Sequence, residues 1–286
     1  MYQRILVPLD GSPLAEQVLA WVGILAKGMQ SRVELLRVIE PPPQDLPDSA
    51  HGIYPHRVFA SIASHAQDYL EGLAIPLRQN GLSVSSIVRE GSPASSIASE
   101  GAKEPDTLIA MTTHGRSGIS RWLLGSVTDK VLHATTNPLL MVRAYDQENP
   151  PEAVNLQTII VPLDGSSLAE QALPHAVSLA KALKLRVLLV RVTPSLEDAR
   201  VMQYLHQVQE KLNNQRVSSV EERLLKGHAA DAIVGLARET PHSLVAMTTH
   251  GRSGVGRWLL GSIADRVVRH SRDLVLMIRA AEETSK

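Results

Sequence analysis

Two short stretches of this chain carry nearly the same set of hydrogen-bonding residues. Leu108–Ser126 reads LIAMTTHGRSGISRWLLGS and Leu244–Ser262 reads LVAMTTHGRSGVGRWLLGS; only three of the nineteen positions differ. Flanking segments have drifted further, so duplication alone does not account for the match. Gly, Ser, Thr, His and Arg follow a short apolar run, the composition of a backbone-lined binding loop rather than of a core. Glycines such as Gly115, Gly125, Gly251 and Gly261 let backbone N–H groups approach an anion without a Cβ in the way. Gly125-Ser126 and Gly261-Ser262 stand where a helix pattern begins, and a helix start offers unpaired N–H donors and a partial positive charge. The chemistry this set suits is phosphate binding. A structural alternative stands beside it: Ser126 with Asp129, and Ser262 with Asp265, fit a capping box.

The remaining polar residues are less specific. Asp10 and Asp164 directly follow a buried apolar run, and could accept from a base or ribose, meet a cation, or cap the next helix. His114 and His250 have no Asp, Glu or second His at ligand spacing, which leaves them weak as catalysts or metal ligands. Arg116 and Arg252 could reach a phosphate, although solvated arginines are commoner. Trp122 and Trp258 read as packing residues for the loop, with base stacking the lesser alternative. His51, His56 and His65 have no counterparts in the second copy and receive no role. Neither a GxxxxGK[ST] loop, a GxGxxG turn after the first strand, a GxSxG elbow nor an HExxH helix is present. Binding is therefore better supported than turnover.

These loops need a scaffold, and the sequence supplies it twice. Arg4–Gln17 (RILVPLDGSPLAEQ) returns as Thr158–Gln171 (TIIVPLDGSSLAEQ). The offset of 154 at Asp10/Asp164 falls to 136 at Gly115/Gly251, so the second copy has lost 18 residues, placed in the Pro-rich stretch Pro41–Arg57. Tyr145–Asn155 reads as the linker, giving domains 1–146 and 156–286. In the first copy, strands are expected at Arg4–Leu9, Val33–Ile39, Val84–Arg89, Leu108–Met111 and Leu139–Val142. Helices are expected at Leu14–Gly28 with Ser12 as cap, His56–Asn80 ended by Gly81, from Ser92-Pro93, and at Ser126–Ala134. The second copy places helices near Leu168–Leu183, Leu196–Asn214, Ala229–Glu239 and Ser262–His270.

Near-continuous Val/Ile/Leu strands alternating with helices predict an α/β fold: two tandem doubly wound, five-stranded parallel sheets of order 3-2-1-4-5, Rossmann-like. In that order strands one and four flank the point where the winding reverses, which is where such sheets bind ligands. Asp10 and the loop after Leu108–Met111 converge there.

Bulk properties narrow the partners. The charge balance is 29 basic to 29 acidic residues with pI near 7.2, so nucleic acid and anionic membrane lack an electrostatic case. Cysteine is absent, which removes disulfides and thiolate chemistry and suits a reducing compartment. With no signal-peptide pattern and no long apolar run, a cytoplasmic protein is expected.

On these residues the chain resembles a tandem universal stress protein. ATP-binding members carry a G-x2-G-x9-G-[S/T] signature after strand four, matched by Gly115 with Gly125-Ser126 and by Gly251 with Gly261-Ser262. The first signature glycine is replaced by Thr112 and Thr248. The family's strand-one ending is matched by Val7–Asp10 and Val161–Asp164, and its strand-two valine by Val38 and Val192. The resemblance implies the adenine nucleotide α-hydrolase-like fold and ATP bound in both copies, with magnesium on the phosphates.

By the same resemblance the adenine lies near Pro8, Leu9, Asp10 and Val38, and the ribose near Met111 and Thr112. The phosphates lie on Gly115, Gly125, Ser126 and Val127, with His114 and Arg116 nearby. The second site comprises Pro162, Leu163, Asp164, Val192, Met247, Thr248, His250, Gly251, Arg252, Gly261, Ser262 and Ile263. Single-domain members dimerise through the last strand, which implies that Leu139–Val142 and Leu274–Ile278 pair within this chain as a pseudo-dimer, with a homodimer also open. The implied function is a stress-response regulator or nucleotide sensor rather than an enzyme. The alternatives are a nucleotide-independent interaction protein and slow ATP hydrolysis.

Overall fold

The computed structural model describes residues 2–41, 55–113, 124–145, 154–194, 198–249, 260–271 and 274–280. The first repeat runs β1 (Arg4–Pro8), α1 (Pro13–Glu16), α2 (Val18–Met29), β2 (Arg32–Ile39), α3 (Pro55–Gln79), β3 (Val84–Glu90), α4 (Pro93–Ala102), β4 (Thr107–Thr112), α5 (Ser126–Ala134) and β5 (Leu139–Val142). The second runs β6 (Thr158–Pro162), α6 (Ser167–Glu170), α7 (Leu173–Leu183), β7 (Arg186–Thr193), α8 (Ala199–Asn214), β8 (Val220–Lys226), α9 (Ala229–Glu239), β9 (Ser243–Thr248), α10 (Ser262–His270) and β10 (Leu274–Ile278).

The chain forms two compact units. In the one holding residues 2–113 and 125–137, four parallel strands lie in the order β3-β2-β1-β4. In the one holding residues 138–280, six strands lie in the order β5-β10-β9-β6-β7-β8, of which β8-β7-β6-β9-β10 is the expected 3-2-1-4-5 order. Every pair there is parallel except β5 with β10, which run antiparallel with Met141 opposite Val275. The fifth strand of the first repeat is therefore built into the unit that holds the second repeat. Every residue of β1, β4, β9 and β10 is buried, as parallel strands covered on both faces require. Among the described residues no helix is long and apolar enough to cross a membrane.

Two helices differ from expectation. The single helix expected over Leu14–Gly28 is broken at Gln17, whose N–H turns back to Leu14 O at 3.3 Å, and a new helix starts at Val18. The second repeat breaks in the same place, where Pro174, lacking an N–H, stands in the first turn of α7. Nor does Gly28 end the helix. Gln30 does so, in the left-handed region at φ 56°, with its N–H on Ala26 O, and Lys184 repeats this at φ 56°.

Below β1, at the end away from the predicted crevice, the first repeat buries an ionic cluster. Arg4 donates from Nε to Thr107 Oγ1 at 2.9 Å and from Nη2 to Glu100 O at 2.6 Å, and pairs through Nη1 with Glu34 at 2.9 Å. Glu100 in turn accepts from Arg89 at 2.8 Å and Lys103 at 2.7 Å. A guanidinium needs several acceptors to be tolerated in the interior, and here it has them.

Candidate functional site

The crevice of the first repeat begins where β1 ends. Leu9 donates its N–H to Leu36 O at 2.8 Å, which holds the chain against β2 for one residue more. Gly11 then turns the backbone at φ 78°, where a side chain would be strained. Asp10 Oδ1 accepts from Ser12 N at 2.9 Å and Ser12 Oγ at 2.5 Å, while Ser12 Oγ accepts from Ala15 N at 3.1 Å. Asp10 thus orients the N-cap of α1 rather than capping the helix itself. Asp164, Gly165 (φ 77°), Ser166 and Ala169 rebuild the same relay in the second repeat.

Two further contacts brace the turn in both copies. Arg37 donates to Leu9 O at 3.1 Å and Arg191 to Leu163 O at 3.5 Å. Tyr69 on α3 donates to Glu16 at 2.9 Å, and Tyr204 on α8 to Glu170 at 3.0 Å. Burial, reinforced by the neighbouring carboxylate, pushes both phenols well above their ordinary value, so each remains a protonated donor.

The opposite wall is the end of β4. Thr128 Oγ1 donates to Thr112 O at 3.0 Å, and Gly125 N to Thr113 O at 2.6 Å, which pins the start of α5 beside the strand end. Gly261 N donates to Thr249 O at 2.9 Å in the second copy. The capping-box reading of Ser126 and Ser262 is overturned here. Gly125 and Gly261 are the N-caps, neither helix has a side-chain cap, and the serines are already the first helical residues. The cap's backbone reaches extended φ/ψ one residue earlier than the sequence pattern suggested, because the strand-end carbonyl of Thr113 takes the glycine N–H. Thr112 and Thr248, where the family signature has glycine, are each 5% exposed, so their side chains are packed into this wall.

These elements enclose a cavity of about 780 Å³ in the first repeat, bounded by Pro8, Leu9, Asp10, Val38, Met111, Thr112, Gly125, Ser126 and Val127. In the second, a cavity of about 300 Å³ is bounded by Pro162, Leu163, Asp164, Val192, Met247, Thr248, Gly261, Ser262 and Ile263. The structure thus brings together every candidate site residue that it describes. His114, Gly115, Arg116, His250, Gly251 and Arg252 lie outside the described residues, as do Trp122 and Trp258.

The first cavity also takes in residues that were given no role from sequence: Glu40, Ile62, His65, Ala66, Tyr69 and Ile97. A signal for Tyr69 was present. Glu16 and Glu170 lie in the repeated LAEQ, and a Tyr-Leu pair, Tyr69-Leu70 and Tyr204-Leu205, recurs on the helix that faces each. Among the described residues no group of three His, Asp or Glu side chains could hold a metal ion.

The profile of the Universal stress protein family matches residues 1–143 and again 155–279. The chain belongs to the universal stress protein family. It carries two copies in tandem, which explains why each repeat has its own crevice. A universal stress protein of Mycolicibacterium smegmatis is 24% identical over 288 residues, spanning 96% of this chain and 96% of its own. A universal stress protein of Mycobacterium tuberculosis is 29% identical over 139 residues, 43% of this chain and 95% of its own. Among solved structures, a universal stress protein from Archaeoglobus fulgidus shares the fold, with a TM-score of 0.79 at 22% identity over 98% of this chain and 100% of that one.

Proposed function

We propose that each repeat binds an adenine nucleotide, ATP in the first instance, and that the protein acts as a cytoplasmic stress-response regulator or nucleotide sensor without strong catalysis. The observation that carries this reading is convergence. The strand-one turn, the strand-two valine and the Gly-Ser helix start, far apart in sequence, line one cavity in each repeat. The base would rest between Pro8–Asp10 and Val38, the ribose beside Met111 and Thr112, and the phosphates at Gly125–Val127. At that point α5 offers N–H groups that no side chain caps. Pro162–Asp164, Val192, Met247, Thr248 and Gly261–Ile263 would do the same in the second repeat. Magnesium would ride on the phosphates rather than on a protein site. Residues 1–146 and 156–286 are the two functional copies in this reading.

The test is calorimetric titration of nucleotide-stripped protein with ATP. Two equivalents are expected, and Gly125→Asp and Gly261→Asp should each remove one. Aspartate is a favoured N-cap, so either variant keeps its helix while placing a carboxylate against the phosphates. Absence of heat at millimolar ATP would reject the proposal and favour a nucleotide-independent interaction protein.

A further inference from the structure

The two cavities share a floor but not an extent: about 780 Å³ in the first repeat against about 300 Å³ in the second. The described walls that follow strand two differ between the repeats. In the second repeat β7 ends at Thr193 and α8 starts at Ala199, capped by Asp198. In the first, β2 ends at Ile39 and α3 starts at Pro55, and α3 is 25 residues long against 16 for α8. Tyr69 and Tyr204 are equivalent, both bonded to the glutamate of the first helical turn. Counting back from them, His65 and Ala66 correspond to Arg200 and Val201 in the first turn of α8, and Ile62 falls before that helix begins. Ile62, His65 and Ala66 line the first cavity, together with Glu40, and among the described residues no α8 residue lines the second. Ile62 is 46% exposed, an apolar side chain held open to solvent beside the cavity rather than packed.

The extension lies on the strand-two side. It is continuous with the wall made by Arg37–Glu40, and the phosphate wall at Gly125–Val127 belongs to the other end of the cavity. Ile62 and Ala66 give it an apolar patch, with the His65 imidazole and the Glu40 carboxylate beside it. We infer that the first site takes an adenine nucleotide bearing a further apolar or aromatic group at the base edge, whereas the second admits only the unsubstituted nucleotide. This rests on the adenine-nucleotide reading above and adds to it a division of labour between the copies. The added group would stack between Ile62, Ala66 and the His65 ring, exchanging water for apolar contact.

The probe is ATP benzylated either on the exocyclic amine or at C8 of adenine, titrated into the full nucleotide-stripped chain alongside plain ATP. The expected result is two equivalents of ATP but one of at least one benzyl-ATP. Gly125→Asp should abolish that single equivalent and Gly261→Asp should leave it. Ile62→Trp fills the extension from an exposed position, and should lower the ratio of benzyl-ATP to ATP affinity about tenfold, the effect of losing roughly one buried ring's contacts. Benzyl-ATP binding at both sites, or at neither while ATP occupies two, would overturn this inference and leave the nucleotide reading intact. Failure of ATP itself to bind would overturn both.

Discussion

Arg4 and Thr158 hold the same place at the start of the first strand in each repeat, and the surroundings have been rebuilt to suit. Around Arg4 stand Glu34, Arg89, Glu100 and Thr107; at the matching positions of the second repeat stand Leu188, Leu225, Leu236 and Ser243. The first set is ionic; in the second, three leucines replace the charges and Thr158 accepts from Arg186 at 3.2 Å, yet both repeats support crevices lined by matching residues. The exchange is incomplete. Thr107 accepts from the guanidinium, while Ser243 Oγ, with no such donor, is buried without a hydrogen-bond partner. Gly101, pressed between Ile109 and Asn137, has become Ala237. The lesson is that the end of the sheet remote from the crevice tolerates either solution, whereas the turn and helix start that shape the crevice are repeated almost residue for residue.

That comparison can be broken most forcefully at Arg4. Arg4→Ala strands buried carboxylates and should destabilise its unit by about 3–5 kcal/mol, the usual cost of removing one partner of a buried ion pair. Thr158→Ala should cost about 1 kcal/mol or less. Urea unfolding followed by fluorescence would read both, and near-equal losses would show that the network is not what holds the first repeat. Transplanting the second solution whole, as R4T/E34L/R89L/E100L, should recover to within ~1–2 kcal/mol of the parent, because apolar replacement of a complete buried network is often neutral.

A smaller effect is expected at Gly101. An added Cβ would sit 2.8 Å from Ile109 Cδ1 and 2.9 Å from Asn137 Oδ1, so Gly101→Ala should cost roughly 1–3 kcal/mol by overpacking. The reverse change, Ala237→Gly, should cost about 1 kcal/mol through helix propensity alone.

Acid should separate the repeats as well. Burial tends to raise the Glu100 carboxyl, but hydrogen bonds from Lys103 and Arg89 outweigh it and hold the group below its ordinary 4.5. Hydrogen bonding from Arg32 and the charge of Arg4 hold Glu104 down against its slight burial. A carboxyl depressed on folding contributes stability that is complete above its ordinary value and is lost as pH falls through the folded one. The parent should therefore lose stability below pH 4.5 more steeply than the four-residue transplant, as thermal midpoints at stepped pH would show. The smallest and most even effect is expected for Tyr69→Phe and Tyr204→Phe, about 1 kcal/mol each for one lost hydrogen bond. A marked inequality between them would mean that the shared brace carries different loads.

The sequence exposed the crevice residues because they are written twice with fixed spacing, and the order of elements followed from apolar runs and caps. Strand ends came within a residue or two, since Arg4–Pro8 and Thr107–Thr112 are bounded by abrupt changes of polarity. What escaped had no local signature. The cap passed from Ser126 to Gly125 because a carbonyl on another element, Thr113 O, claims the glycine N–H. Tyr69, 53 residues from its partner Glu16, and the Arg4 cluster, which spans up to 103 residues, depend on three-dimensional proximity that periodicity does not encode. The long helix His56–Asn80 was legible, but the reach of its Ile62, His65 and Ala66 into the first cavity depends on packing that no local pattern encodes.

The placement of β5 bears on how the chain is made. Its antiparallel neighbour is β10, so Met141 leaves the ribosome long before Val275 exists to pair with it. During that interval Leu139–Val142, four buried apolar residues in the finished protein, present a free strand edge. Domains tend to fold in order of synthesis, but here completion of the first repeat's last strand waits upon the last strand of the second. Translation speed across the second repeat, and any chaperone that shelters an unpaired edge, should therefore bear on the completion of the unit that holds residues 138–280.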